Sequence, residues 1–205
     1  MDSKDDPIAY HDLNQKIKVL IRNIFEEYFK PLGFRQNGQN FRLYQENGLC
    51  KIVNFQKYRY NHNKNCSLTV NIGLYIEKDI VIQNRNFYES DCQIRIRPSH
   101  EYYGEERWWP VNDDRSLEQF AKEIRSYFEN TALPWLNQFA NREELIAEML
   151  ERNSMEKYNY HLLNYENAGL LAECGYGAQL LQLMENQEND NIPEIRELIR
   201  KIKKT

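Results

Sequence analysis

An unbroken alternation of apolar and polar residues over positions 68–76 constrains the fold more than any other feature of this sequence. The apolar residues occupy every second position, and a β-strand places such residues on one face. They are Leu68, Val70, Ile72, Leu74 and Ile76. Alternation over nine residues is hard to produce by accident. The pattern therefore predicts a central strand whose five apolar side chains face packed helices.

Shorter alternating segments and two turn signals predict the neighbouring strands. Asn37-Gly38 and Asn47-Gly48 are hairpin signals, because Asn and Gly tolerate the positive φ of a tight turn. Short connections between consecutive strands predict an antiparallel meander with one apolar face. The further strands are predicted at 41–44, 49–56, 80–82 and 92–97.

Helical periodicity surrounds this predicted sheet. Residues 12–29 have the spacing of an amphipathic helix with Asp12 as its N-cap, and Ser116 with Gln119 reads as a capping box that opens a second helix. The sequence thus predicts an α+β fold: an N-terminal helix, an antiparallel sheet of about five or six strands, and helices on one face. We expect a domain over 1–140 and a C-terminal helical extension over 141–205 packed on it.

The last predicted helix carries an apolar stripe at three- and four-residue spacing. Such a stripe favours a docked structural helix over a free nucleic-acid-binding arm. The stripe consists of Ile192, Ile195, Leu198, Ile199 and Ile202.

Several short runs, taken in their order along the chain, resemble a bacterial domain-of-unknown-function family, number 4304. The resemblance covers roughly residues 13–140. It implies the fold class and a bacterial source, and it transfers no activity and no catalytic position. The runs are Pro31-Leu32-Gly33-Phe34, Asn40-Phe41, Val53-Asn54-Phe55-Gln56, Val70-Asn71-Ile72-Gly73, Arg95-Ile96-Arg97, Trp108-Trp109-Pro110-Val111 and Leu133-Pro134-Trp135.

Charge is distributed unevenly along the chain. The formal net charge is −4, yet residues 34–97 hold ten basic and five acidic residues, a net +5. A basic middle between acidic helices can bind an anion or can neutralise itself by packing, and we expect self-neutralisation.

Cysteine usage and the polar N-terminus indicate a compartment. The four cysteines, Cys50, Cys66, Cys92 and Cys174, show neither zinc nor redox spacing, so we expect four unpaired and inert thiols. Neither a signal peptide nor a run long enough to span a bilayer is evident. We therefore expect a cytoplasmic protein with no membrane association.

Three groups of residues are candidates for ligand binding. Tyr58 and Arg59 belong to a run of cations and aromatics that suits single-stranded nucleic acid, and that is equally an ordinary polar hairpin loop. Arg95, Arg97 and His100 have the spacing to hold a carboxylate or phosphate, or else to pair with nearby acidic residues.

Trp108-Trp109 is the third candidate. Neighbouring residues of an extended segment point to opposite sides, so one ring should enter the core. The other ring, assigned to Trp108, should either lie under the acidic helices or line a groove with Arg97.

No catalytic motif emerges from the sequence. It has no phosphate-binding glycine loop, no nucleophile elbow and no metal-ligand spacing, so we assign no catalytic residue, metal or cofactor. The favoured hypothesis is a non-enzymatic binding protein whose partner is another protein, such as an immunity-type partner of a toxin. The alternative is a protein, with or without enzymatic turnover, that binds an anionic ligand or nucleic acid at the basic sheet region.

Overall fold

The structure is a computed structural model that contains one antiparallel sheet and helices packed against it. The α+β fold predicted from the sequence is confirmed. The structure describes residues 10–58, 66–77, 86–97, 108–151 and 165–185, together with Glu197, Arg200 and Lys203.

The sheet is a meander to which one short strand is added. Its strands run in the order β1-β2-β3-β4-β5, and β6 pairs with β4 beside β5. The last predicted strand begins at Ile94 and not at Cys92, the segment 80–82 lies outside the described residues, and β6 was not predicted. The strands are β1 Arg35–Asn37, β2 Asn40–Tyr44, β3 Leu49–Lys57, β4 Ser67–Ile76, β5 Ile94–Ile96 and β6 Trp109–Pro110.

Helices precede and follow the sheet. The first, α1 (Tyr10–Ile24), continues into a π turn at Phe25–Phe29 and a 3₁₀ turn at Lys30–Leu32. The later helices are α2 Asp114–Tyr127, a π turn at Phe128–Ala132, α3 Leu133–Leu136, α4 Arg142–Glu151, α5 Tyr165–Leu171, a π turn at Ala172–Tyr176 and α6 Gly177–Glu185.

Two of the predicted helix caps are wrong. Asp12 lies inside α1, whose described part already includes Tyr10, so Asp12 is not its N-cap. At the start of α2 the N-cap is Asp113, whose carboxylate accepts a hydrogen bond from the Ser116 backbone N–H at 2.7 Å. The Ser116 hydroxyl accepts from the Asp113 N–H at 3.1 Å, so Ser116 is the third residue of the capping box. The Gln119 side chain instead donates to Glu123.

One face of the sheet packs against the helices, and we call it the helical face. The five alternating side chains of β4 are fully buried there, which confirms the predicted register. At these positions burial contributes about 1.5–3 kcal/mol for each large apolar side chain. Side chains of α4, α5 and α6 belong to the same apolar cluster. That the segment 141–205 is an extension packed on the domain stays a prediction. The domain boundary at residue 140 stays a prediction, and the stripe from Ile192 to Ile202 lies outside the described residues.

The opposite side of the sheet, which we call the second face, carries the other alternating residues of each strand. At one end the segment 86–93 folds over it: Phe87 and Cys92 pack against Cys50 and Ile52 in a smaller apolar cluster. The Phe87 ring stacks on Tyr75 with 4.7 Å between centroids. The prediction of a single apolar face is therefore wrong, because a segment distant in sequence covers part of the second face with apolar side chains.

Gly73 permits this close approach. A Cβ atom at this position would lie 2.5 Å from the Cys92 sulfur and 2.9 Å from its Cβ, well inside van der Waals contact.

We expect Gly73→Ala to displace the segment 86–93 and to lower the free energy of unfolding by about 1–3 kcal/mol. Urea unfolding of the variant and of the unsubstituted chain measures this difference in free energy. Gly169→Ala is the control, because nothing lies within 4 Å of that Cβ in α5 and alanine favours a helix. Equal effects of the two substitutions would contradict the packing argument.

None of the four cysteines, all of which lie in the described part of the chain, forms a disulfide, as predicted, and they differ in burial. Cys50, Cys66 and Cys92 are buried, whereas Cys174 is half-buried. Burial raises the pKa of Cys50 to about 12 and also raises the pKa values of Cys66 and Cys92. A thiol must be accessible and must ionise to react, so at mildly alkaline pH we expect Cys174 alone to react in the native protein. The expectation of four inert thiols is therefore kept for the three buried cysteines and revised for Cys174. Thiol titration in denaturant should then find four groups. Rapid reaction of all four in the native state would contradict the burial.

Candidate binding surface

The register of the sheet aligns polar residues of consecutive strands in one row on the second face. Asn37 pairs with Asn40, Asn40 with Asn54, and Asn54 with Asn71. Since Ile96 pairs with Ile72, the next residue, Arg97, falls opposite Asn71. The row therefore crosses the sheet perpendicular to its strands.

Hydrogen bonds link the members of this row. The Arg97 Nε donates to Asn71 Oδ1 at 2.6 Å, and Asn71 Nδ2 donates to Asn54 Oδ1 at 3.1 Å and to Gln56 Oε1 at 2.9 Å. The Asn54 Nδ2 in turn donates to Asn40 Oδ1 at 2.8 Å. We call Asn40, Asn54, Gln56, Asn71 and Arg97 the amide row.

Burial makes Asn71 the member on which the row depends. Asn71 is 3% exposed, and its side chain both accepts from Arg97 and donates twice. A buried amide without partners costs about 1–3 kcal/mol, so these bonds are what allows asparagine in this strand.

Two aromatic rings lie next to the amide row on the same face. Tyr58 continues the alternation of β3 beyond Gln56, and its N–H donates to the Ser67 carbonyl. Its ring meets that of Trp108 edge to face, with 5.1 Å between centroids. Tyr58 is 42% exposed and Trp108 is half-buried. The pair thus offers a partly accessible aromatic surface.

Trp109 points the other way, as predicted for one of the two tryptophans. It is buried on the helical face, where its ring contacts Phe120 and its Nε1 donates to a Glu123 carboxylate oxygen at 2.7 Å. Trp108 is therefore the ring left on the second face.

The sheet brings most of the predicted site residues to one face. Tyr58, Trp108 and Arg97 lie beside or within the amide row, and Arg95 lies opposite Gly73 on the same face. Arg59 and His100 lie outside the described residues. That these residues bind a ligand stays a prediction.

Three basic side chains of the middle stretch point to neutral oxygen atoms. The buried Arg42 donates from Nε to the Phe87 carbonyl at 2.7 Å, and Lys57 hydrogen-bonds to Asn14 Oδ1. The Lys51 ammonium donates to the Leu136 carbonyl at 2.5 Å, and burial lowers its pKa. The prediction that acidic helices neutralise the basic middle stretch is therefore wrong for these three residues, because their partners are carbonyl and amide oxygens.

Two depressions lie among the described residues of the helices. A shallow one of about 580 Å³ is lined by residues at the start of α2, such as Ser116 and Lys122. An apolar one of about 370 Å³ lies between α1 and α2, next to the exposed Val19.

The described residues contain no group of three or more His, Cys, Asp and Glu side chains arranged to hold a metal ion. In the same part of the chain, no helix has the length and apolar character needed to cross a membrane.

These features define an α+β protein with a meander sheet whose second face carries a polar row and an aromatic pair. The sequence matches the family described as Domain of unknown function (DUF4304) over residues 25–138, more than half of the chain. The chain belongs to this family, which confirms the resemblance seen in the sequence. The matched segment includes the whole amide row. Comparisons with curated proteins and with solved structures return no match.

The amide row itself was not predicted. Each of three strands has an asparagine on its polar face, Asn40, Asn54 and Asn71, and these residues are the signal that could have found it. Which residues face each other depends on the register between strands, and local patterns do not supply that register.

A pair of alanine substitutions tests the role of burial in the row. We expect Asn71→Ala to lower the free energy of unfolding by about 2 kcal/mol or more, because Arg97 Nε and two amide oxygens lose a buried partner. Asn54→Ala is the matched control with an expected loss of about 1 kcal/mol, because water reaches the half-buried Asn54 site. Urea unfolding compares them. A larger loss at position 54 would show that the row is not anchored at Asn71.

Proposed function

We propose that this chain is a non-enzymatic binding protein of the bacterial cytoplasm and that its partner is another protein. Its docking surface is the second face, where the Tyr58 and Trp108 rings adjoin the amide row. The particular role that we propose is that of an immunity-type protein, which neutralises a toxin by binding it.

The observation that carries this proposal is the aromatic pair beside a rigid polar row. Tyr, Trp and Arg are the side chains that most often dominate the binding energy of protein interfaces. The Tyr58 and Trp108 rings contact each other on this face, Arg97 lies on the same face in the amide row, and Tyr88 in the neighbouring segment 86–93 is 58% exposed. Hydrogen bonds hold the polar row in place, so little side-chain entropy is lost when a partner docks.

The positions of the cations favour a protein partner over nucleic acid. Phosphate backbones are bound mainly by lysine and arginine side chains that reach the surface. Arg42 and Lys51 are buried, and Lys57 is turned towards α1 through Asn14. The alternative of an anionic ligand or nucleic acid rests on Arg35, Arg95 and Arg97, which the register places on this same face.

Affinity capture from a native bacterial lysate tests the proposal. The full chain should retain a specific protein, identified by mass spectrometry. We expect Tyr58→Ala and Trp108→Ala each to weaken its retention by about tenfold or more, because truncating a central aromatic residue typically costs at least about 1–2 kcal/mol. The control is Val19→Ala, which shortens an exposed apolar side chain on α1.

Retention that falls only with Val19→Ala would move the docking surface to the helices and refute the proposed face. Nuclease treatment of the lysate separates the two candidate functions. A captured protein that disappears with nuclease would indicate the nucleic-acid alternative.

A further inference from the structure

Resting on the proposed function, we propose that the partner protein places an aspartate or glutamate carboxylate against the side-chain amides of Asn40 and Gln56, beside the Tyr58 ring. The inference follows from the direction of the hydrogen bonds in the amide row.

Arg97 sets this direction. A guanidinium group only donates hydrogen bonds, so the Asn71 atom that faces Arg97 Nε at 2.6 Å must be its oxygen. The Asn71 NH₂ group then points away from Arg97, towards Asn54 and Gln56. Asn54 and Gln56 must therefore each direct the side-chain oxygen towards the Asn71 NH₂ group. By the same reasoning the NH₂ group of Asn54 points to Asn40, and the side-chain oxygen of Asn40 accepts its hydrogen bond.

The row therefore ends in donors. Every amide oxygen in it already accepts a hydrogen bond, and the NH₂ groups of Asn40 and Gln56 have no acceptor among the described residues. Both residues are half-buried on the second face. Each bond in such a chain polarises the next, so the cation at one end strengthens the donors at the other.

The two donors lie close enough to serve one ligand group. Asn40 is directly opposite Asn54, and Gln56 is the next residue of β3 on the same face. Such diagonal neighbours are about 7–8 Å apart at their Cα atoms, and two amide side chains can converge over this distance. A carboxylate has two acceptor oxygens, one for each NH₂ group.

A carboxylate suits this site better than a phosphate. Two neutral amides offer donors without a charge of their own, whereas phosphate sites usually include lysine or arginine in contact with the anion. Arg42 lies two residues from Asn40 on the same face, but its Nε donates to the Phe87 carbonyl, and the Nε of Arg97 donates to Asn71. Lys57 is directed to Asn14 on the other side of the sheet. The exposed Tyr58 ring gives the residues around the carboxylate an apolar contact.

Two isosteric substitutions isolate the outward donors. Asn40→Asp keeps the oxygen that accepts from Asn54, and Gln56→Glu keeps the oxygen that accepts from Asn71. Each replaces only the NH₂ group by a charged oxygen that repels a carboxylate. The matched controls are Asn137→Asp and Gln138→Glu, which add the same charge at exposed positions after α3.

The first probe is independent of the partner. Sodium acetate and an acetylated triglutamate peptide are titrated into the nitrogen-15-labelled full chain while the side-chain amide signals are followed by NMR. We expect saturable shifts at Asn40 and Gln56 and no comparable shift at Asn137 or Gln138. The shift at Gln56 should weaken in the Asn40→Asp variant, and the shift at Asn40 should weaken in the Gln56→Glu variant. Shifts of equal size at all four residues, or a response to inorganic phosphate and oligothymidylate but not to the carboxylates, would overturn the inference.

Capture with the same variants separates this inference from the proposed function. We expect Asn40→Asp and Gln56→Glu to weaken retention of the captured protein by about tenfold or more, and the two controls to leave it unchanged. If Tyr58→Ala and Trp108→Ala weaken retention while Asn40→Asp and Gln56→Glu do not, the carboxylate contact is refuted and the docking face stands. If none of the four weakens retention, both proposals fail.

Discussion

Burial of the β4 strand on both faces is the constraint on which the rest of the structure depends. Its helical face is filled by five aliphatic side chains, and on its other face Thr69, Asn71 and Gly73 are buried as well. A polar side chain in such a strand is tolerated only when the protein supplies its hydrogen bonds. Asn71 meets this requirement through hydrogen bonds with Arg97, Asn54 and Gln56. One buried amide therefore fixes the orientation of the polar side chains on both sides of β4.

The same strand separates the second face into two parts with different chemistry. Towards the C-terminal end of β4, Gly73 leaves room for the Cys92 side chain, and the smaller apolar cluster that contains Phe87 covers the sheet. In the other direction Trp108 and Tyr58 remain partly accessible. The cover keeps one part of the face apolar and closed, while the amide row and the aromatic pair form a pre-organised polar surface. Pre-organisation of this kind lowers the entropic cost of binding, and it is the physical basis of our proposal.

Much of the fold could be predicted from the sequence, because alternation and helical spacing are local properties. The helical face of β4, the hairpin positions and the opposite directions of Trp108 and Trp109 follow from residue period alone. The two-residue strand β6 and the cover by Phe87 and Cys92 depend on contacts between distant segments. The amide row depends on the register among four strands. The helix cap at Asp113 was missed because Ser116 has the same capping chemistry, and only the backbone decides between them.

Hydrogen–deuterium exchange of the full chain, with and without the protein recovered by capture, tests the central claim most directly. A partner docked on the second face should slow exchange in 35–44 and 49–58, which include Asn40, Gln56 and Tyr58. Exchange in α1 and α2 should stay unchanged, because these helices lie on the other side of the sheet. Protection confined to α1 and α2, with no change in 35–44 and 49–58, would contradict the account.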